Sequence, residues 1–222
     1  MSEDLERLER LAATDLDARK EWARALTRRG DPRAPLIELT IEPGAPQWEE
    51  LCILRNALFK EDQKAAVLWL RPLLSHWEEL NLSETQVSDV SALLALTNLK
   101  TLNLDRTKAS DLSPLSALTN LKTLDLSNTQ ISDVSPLSAL TNLESLNLDR
   151  TKVSDLSPLS ALANLKTLSL SWTQVSDVSA LKSLTNLESL YLSDAQVWDV
   201  SALKSLTNLK TLDLSNTQIS DV

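Results

Sequence analysis

From residue 77 onward, apolar side chains return with a period of 22 residues. Aligned on the recurring Asn-Leu pair, the units begin at Trp77, Leu99, Leu121, Leu143, Leu165, Leu187 and Leu209, without an insertion between them. Six units are complete and the seventh stops at Val222. A representative unit, 121–142, reads LKTLDLSNTQISDVSPLSALTN. Within it Leu121, Leu124 and Leu126 (positions 1, 4 and 6) alternate with polar residues. That spacing predicts a strand whose leucines point inward while Thr123, Asp125 and Ser127 point outward. Ile131, Val134, Leu137 and Leu140 then supply an apolar return leg, so each unit offers about seven apolar side chains to one core. A single unit cannot bury that much surface alone. A fixed period of this length predicts stacked coils, each stabilised by its neighbours.

The polar positions are equally regular. Asn98, Asn120, Asn142, Asn164, Asn186 and Asn208 recur where each unit turns into the next strand, where an amide can satisfy backbone groups of adjacent coils. Aspartates from Asp89 to Asp221 occupy position 13, before a Val-Ser or Leu-Ser pair. Pro114, Pro136 and Pro158 follow a serine, which suits the N-cap and first residue of a short helical turn. The position-13 aspartates are therefore expected to act as caps and not as ligands.

Residues 1–76 follow a different, helical period. Leu5, Leu8, Leu11 and Ala12 fall on one helical face, with Ser2 as N-cap. Thr14 and Asp17 form an acidic capping pair ahead of Leu16, Trp22, Ala23 and Leu26, and Gly30 stands where a helix stop belongs. Further helices are expected over roughly 46–59 and 62–74, with a short element at Leu36–Ile41 between proline-rich turns. The predicted organisation is an all-α cap domain over 1–76 and a solenoid over 77–222.

Composition narrows the chemistry. Gly30 and Gly44 are the only glycines, which excludes dinucleotide and P-loop phosphate cradles. The net charge is −9, and most of it falls on 77–222, where 17 acids face 10 bases. An acidic array of coils disfavours nucleic acid and anionic membranes as partners and favours a basic protein. No segment approaches the length of a membrane span, and the charged N-terminus does not read as a signal peptide. Cys52 is the single cysteine, so no intramolecular disulfide forms, and a cytoplasmic location is expected. His76 is the single histidine, leaving no zinc cluster; no metal or cofactor is expected. Cys52 lies beside Leu51 and Ile53 and reads as a buried structural thiol. The serines recur at fixed repeat positions without a partner base. Asp105 and Asp149 sit two coils apart, but their spacing is a by-product of the repeat. No catalytic residue is assigned, and the chain reads as non-enzymatic.

The strand segments LKTLNL, LKTLDL, LESLNL, LKTLSL and LESLYL, with the return segment ISDVSPLSALTN, resemble the leucine-rich repeat family, in particular the 22-residue bacterial class found in internalins. The segment RRGDPRAPLIEL is similar to a short companion domain that precedes such arrays in some bacterial proteins. The resemblance implies a right-handed α/β solenoid with a parallel sheet and short 3-10 or helical return segments. It also implies recognition of a partner protein on the concave sheet surface. One departure from the family pattern stands at position 9, where Asn is usual. Here it is Thr85, Thr107, Thr129, Thr151, Thr173, Ala195 and Thr217, so a simpler hydrogen-bonded ladder is expected, interrupted at Ala195.

Positions 3, 5, 7 and 8 are expected to line that surface. Position 8 reads Glu84, Arg106, Asn128, Arg150, Trp172, Asp194 and Asn216; position 5 is small or polar except at Tyr191; Trp198 replaces a serine at position 12. Trp and Tyr are favoured interface anchors. The candidate partner-binding set is Arg106, Asn128, Arg150, Trp172, Tyr191, Asp194 and Trp198. Two alternatives stand beside a binding scaffold. One is an assembly element that self-associates through the C-terminal end, where Leu209, Leu212, Leu214 and Ile219 would lack a covering coil unless further repeats follow Val222. The other is a regulatory arm of an enzyme carried on another chain.

Overall fold

The computed structural model describes residues 78–85 and 87–219, together with Glu21, Arg24 and Arg28. Those three are helical and exposed, within the second helix expected from the sequence. The other expectations for 1–77, including the helices near 46–59 and 62–74, Cys52, His76 and Trp77, lie outside the described residues, as do Asp221 and Val222.

Seven strands follow at one-repeat intervals: β1 (Glu79–Asn81), β2 (Thr101–Asn103), β3 (Thr123–Asp125), β4 (Ser145–Asn147), β5 (Thr167–Ser169), β6 (Ser189–Tyr191) and β7 (Thr211–Asp213). They form one parallel sheet in sequence order. The register is one whole repeat per strand, so Leu102, Leu124, Leu146, Leu168 and Leu190 stand side by side. Between strands lie five-residue 3-10 turns: η1 (Ser91–Ala95), η2 (Ser113–Ala117), η3 (Ser135–Ala139), η4 (Ser157–Ala161), η5 (Ser179–Ser183) and η6 (Ser201–Ser205).

Each strand is only three residues long, shorter than the six-residue pattern that predicts it. The pairing nevertheless continues past both ends. Lys122 and Thr123 N–H both donate to the Lys100 carbonyl, Leu126 N–H to the Asn147 carbonyl, and Asn128 N–H to the Asp149 carbonyl. Further bonds join the Lys108, Lys152, Gln196 and Gln218 N–H groups to the Val87, Ile131, Val175 and Val197 carbonyls, which ties the start of those four return legs to the coil before. Backbone groups that a free coil would leave to water are thus satisfied by its neighbours.

The inward residues are those that the period selects. In the 121–142 coil Leu121, Leu124, Leu126, Ile131, Val134, Leu137 and Leu140 are all buried. The coil that contains β7 differs: Leu212 is 43% exposed.

The return leg is shaped by its aspartates. Asp111, Asp133, Asp155, Asp177 and Asp199 each accept a hydrogen bond from the backbone N–H two residues on, at 2.7–2.8 Å. The accepting carboxylate lies two residues before each 3-10 turn, and the serine is the turn's first residue, with proline next in η2, η3 and η4. The capping expected of the position-13 aspartates is thus seen, while the serine, expected at the N-cap, is the first residue of the turn and supplies the N–H that the aspartate accepts. Asn142, Asn164, Asn186 and Asn208 donate from Nδ2 to the carbonyls of Thr119, Thr141, Ala163 and Thr185 in the preceding coil, at 2.8–2.9 Å. The expected amide ladder is present, but on the exposed side of the turns. The position-9 threonines build no ladder. Thr107, Thr129, Thr151 and Thr173 are buried, and each hydroxyl donates to the carbonyl three residues earlier in its own coil, at 2.6–2.8 Å. Ala195 keeps only the backbone N–H bond to the Leu192 carbonyl.

Candidate interaction face and edge

The open face of the sheet is made by positions 3, 5 and 7. Position 5 holds the turn that leaves the strand. Asn103, Asp125 and Asn147 each accept from the N–H two residues on, at 2.8–3.0 Å. In the β5 coil Ser169 takes this position and is too short to serve. Asp149 of the preceding coil accepts instead from Ser171 N–H at 2.8 Å and from Ser169 Oγ at 2.6 Å. Asp105 similarly accepts from Ser127 Oγ at 2.9 Å and from Asn128 Nδ2 at 2.8 Å. Asp105 and Asp149 are thus fastened to neighbouring coils, each with one oxygen committed to structure.

A shallow depression of about 430 Å³ opens on this face over β3 to β6. Asp125, Asn147, Asp149, Thr167 and Ser169 line it, and Tyr191 forms its aromatic side. Tyr191 is half-buried and pairs in register with Ser169.

Position 8 forms the edge beside this face, and its backbone is unusual. All seven residues there are left-handed: Glu84, Arg106, Asn128, Arg150, Trp172, Asp194 and Asn216, with φ between 54° and 63°. The coil must leave the sheet at this point while its N–H still reaches the next coil, as in Arg106 N–H to the Ser127 carbonyl. Asn and Asp tolerate that conformation; Glu, Arg and Trp do so at a cost. Sequence reading took position 8 only as an exposed column. The signal that could have revealed the turn was the return of Asn or Asp at 128, 194 and 216.

Side chains pair along this edge from coil to coil. Arg106 Nη1 donates to Glu84 Oε1 at 2.7 Å, and Arg106 Nε lies 4.0 Å from Asp105 Oδ2. Asn216 Nδ2 lies 3.4 Å from Asp194 Oδ2. The Arg150 guanidinium stands over the Trp172 ring, 4.8 Å from its centroid, within cation–π range. Trp172 remains 53% exposed.

The candidate residues therefore separate into three places. Arg106, Asn128, Arg150, Trp172 and Asp194 share the edge, and Tyr191 belongs to the face. Tyr191 aligns with Ser169, three residues before Trp172, and Trp172 is not among the residues lining the depression. Trp198 stands apart, 67% exposed on the return leg between buried Val197 and the capping Asp199.

A second charged column, missed from the sequence, runs through position 2. Lys100 pairs with Glu78 at 2.7 Å, Lys122 and Lys166 both with Glu144 at 3.0 and 2.7 Å, and Lys210 with Glu188 at 2.6 Å. Reading position 2 down the repeats as Glu, Lys, Lys, Glu, Lys, Glu, Lys would have shown it. Among the described residues no group of three or more His, Cys, Asp or Glu could hold a metal ion. No helix among them is long and apolar enough to cross a membrane.

A parallel sheet of identical short strands, closed by 3-10 turns and filled by leucine at fixed positions, defines a leucine-rich repeat array. The family described as Leucine Rich repeats (2 copies) matches residues 78–117, 119–161, 163–205 and 185–222. The chain belongs to the leucine-rich repeat proteins. Among solved structures it is similar to an internalin, InlF, of Listeria monocytogenes, at 36% identity and a TM-score of 0.58, over 68% of this chain and 52% of that one. Internalin C2 of the same organism aligns at 34% identity and a TM-score of 0.57, over 71% of this chain and 76% of that one. A leucine-rich repeat protein of Leptospira interrogans aligns at 28% identity and a TM-score of 0.61, over 68% of this chain and 40% of that one. The chain thus spans about half the length of the InlF structure. No curated protein matches it.

Proposed function

We propose that this chain is a non-enzymatic recognition module that holds a partner protein against the open sheet face and the adjoining position-8 edge. The observation that carries the reading is Trp172, 53% exposed in a left-handed position that ordinarily suits Asn. Tyr191 supports it from the face, in a row otherwise filled by Asn, Asp or Ser. Exposed aromatics at the centre of a polar surface are the usual anchors of protein interfaces. Arg106, Asn128, Arg150 and Asp194 frame these anchors. Trp198 is left out of the surface because it belongs to the return leg.

The charge of the face supports a basic partner. Positions 3, 5 and 7 carry Glu79, Asp105, Asp125, Asp149 and Asp213 and neither Lys nor Arg, so a cationic side chain would find complementary potential there. The proposal takes 77–222 as the binding unit, 1–76 as a separate helical domain, and the cytoplasm as the compartment, on the strength of the lone Cys52. Affinity capture from the native host with wild-type bait and with Trp172→Ala/Tyr191→Ala bait tests it. A partner held by the first and lost by the second is the expected result. Equal recovery of every bound protein on both baits contradicts it.

A further inference from the structure

The edge differs from the face in carrying arginines, which positions 3, 5 and 7 lack. Of its two arginines, Arg106 is neutralised by Glu84 at 2.7 Å. Arg150 meets the Trp172 ring instead, and among the described residues no carboxylate lies within ion-pair distance of it. The acids nearest in the repeat are engaged elsewhere: Asp149 Oδ1 accepts from Ser169 and Ser171, and Asp194 Oδ2 faces Asn216. A guanidinium seated over an aromatic ring keeps its planar fork of N–H donors, which fits a carboxylate two bonds at a time. Both residues also hold left-handed backbone, φ 56° at Arg150 and 61° at Trp172. Asn128 and Asn216 show that the repeat can place a better-suited residue there. That backbone is common to all seven coils at this position, so what sets this pair apart is the side chains placed on it.

We propose that Arg150 and Trp172 form a docking point for a carboxylate of the partner protein, with an adjacent aliphatic side chain of that partner covering the exposed part of the Trp172 ring. The inference rests on the reading of the face as a protein-binding surface. A single carboxylate fits better than a polyanion, since Asp149 and Asp194 stand nearby and the chain carries a net charge of −9. The partner then brings a basic group to the face and an acidic group to the edge. This opposition of sign fixes the direction in which it lies across the coils.

The test is selection of a random dodecapeptide library, displayed on phage, against the full chain. Peptides selected by the wild type are expected to be enriched in Asp or Glu beside Leu, Ile or Val. A synthetic leading peptide should lose about tenfold in affinity with Arg150→Lys, which removes the fork and the stacking. Exchanging the peptide's acid for its amide should cost the same, and the two changes together should cost little more than either alone. Trp172→Asn should abolish the selection while leaving the melting temperature unchanged or raised by about 2–4 °C. A lowered melting temperature would mean that Trp172 serves packing, and would overturn the proposal. So would the absence of any Arg150-dependent binder. Peptides sensitive to Tyr191→Ala alone leave the face reading intact and sink the edge. Peptides indifferent to Arg150→Lys, Trp172→Asn and Tyr191→Ala bind elsewhere, and then the face reading itself fails.

Discussion

Thr129 shows how much one hydroxyl does in a coil. It is fully buried, and its Oγ1 donates to the Leu126 carbonyl at 2.6 Å. Thr129→Val keeps shape and removes the donor, leaving a buried carbonyl without that bond. The expected loss is about 1–3 kcal/mol, read from chemical denaturation. The converse change is Ala195→Thr, which restores the hydroxyl present at position 9 of every other coil. It is expected to stabilise the chain by about 0.5–1.5 kcal/mol. A neutral or destabilising result would mean that the Ala195 site has no room for the side chain. At this scale the sequence showed that threonine replaces the usual asparagine. It did not show the acceptor, because an intra-coil carbonyl and one in the next coil are equally plausible from residue type alone. Position 8 hid its meaning for a related reason: a positive φ is a property of the path leaving the strand, and Glu84, Arg106, Arg150 and Trp172 are types that conceal it.

The return leg holds five carboxyls below the usual aspartate range. The Asp111, Asp133 and Asp155 carboxyls are held below the usual aspartate range, first by the hydroxyl and then by the backbone N–H of Ser113, Ser135 and Ser157. At Asp177 and Asp199 the backbone N–H of Ser179 and Ser201 contributes most and the hydroxyl second. A depressed value in the folded state means that the stabilisation is fully present above the unfolded aspartate value of about 3.9. It is lost as pH falls through the lowered values. Thermal melts are therefore expected to hold steady down to about pH 4 and to fall below it. Replacing all five residues by Asn keeps an accepting oxygen that does not titrate, and should flatten that acid limb in part. Glu144 and Glu188, lowered mainly by hydrogen bonds from Lys166 and Lys210, go on titrating. An unchanged acid limb in the five-fold variant would show that the caps do not set it. The capping aspartates were legible because Asp-Val-Ser and Asp-Leu-Ser recur at one position. The three-residue length of the strands was not, since the LxxLxL pattern marks inward residues and not the extent of pairing.

Across the whole array, stability is shared between coils, so one core leucine counts in three of them. Leu146 is fully buried in β4 and stands between Leu124 and Leu168 in register. Leu146→Ala is expected to cost about 2–5 kcal/mol, with hydrogen exchange rising most in the β3 to β5 coils, because each coil is stabilised by its nearest neighbours. The repeat made this core readable residue by residue. The division of the candidate surface was less readable: Tyr191, Trp172 and Trp198 are close in sequence, yet the coil's path sends them to the face, the edge and the return leg. The central claim, that face and edge together hold a partner protein, is tested most directly by titration calorimetry of the captured partner. Wild-type chain, Tyr191→Ala and Trp172→Ala are compared with Thr101→Ala, which lies on the same sheet away from the depression. Each aromatic truncation is expected to cost ~2 kcal/mol or more, about thirtyfold in affinity, with unchanged melting temperature and a near-neutral Thr101→Ala. Wild-type affinity in both aromatic variants would contradict the account.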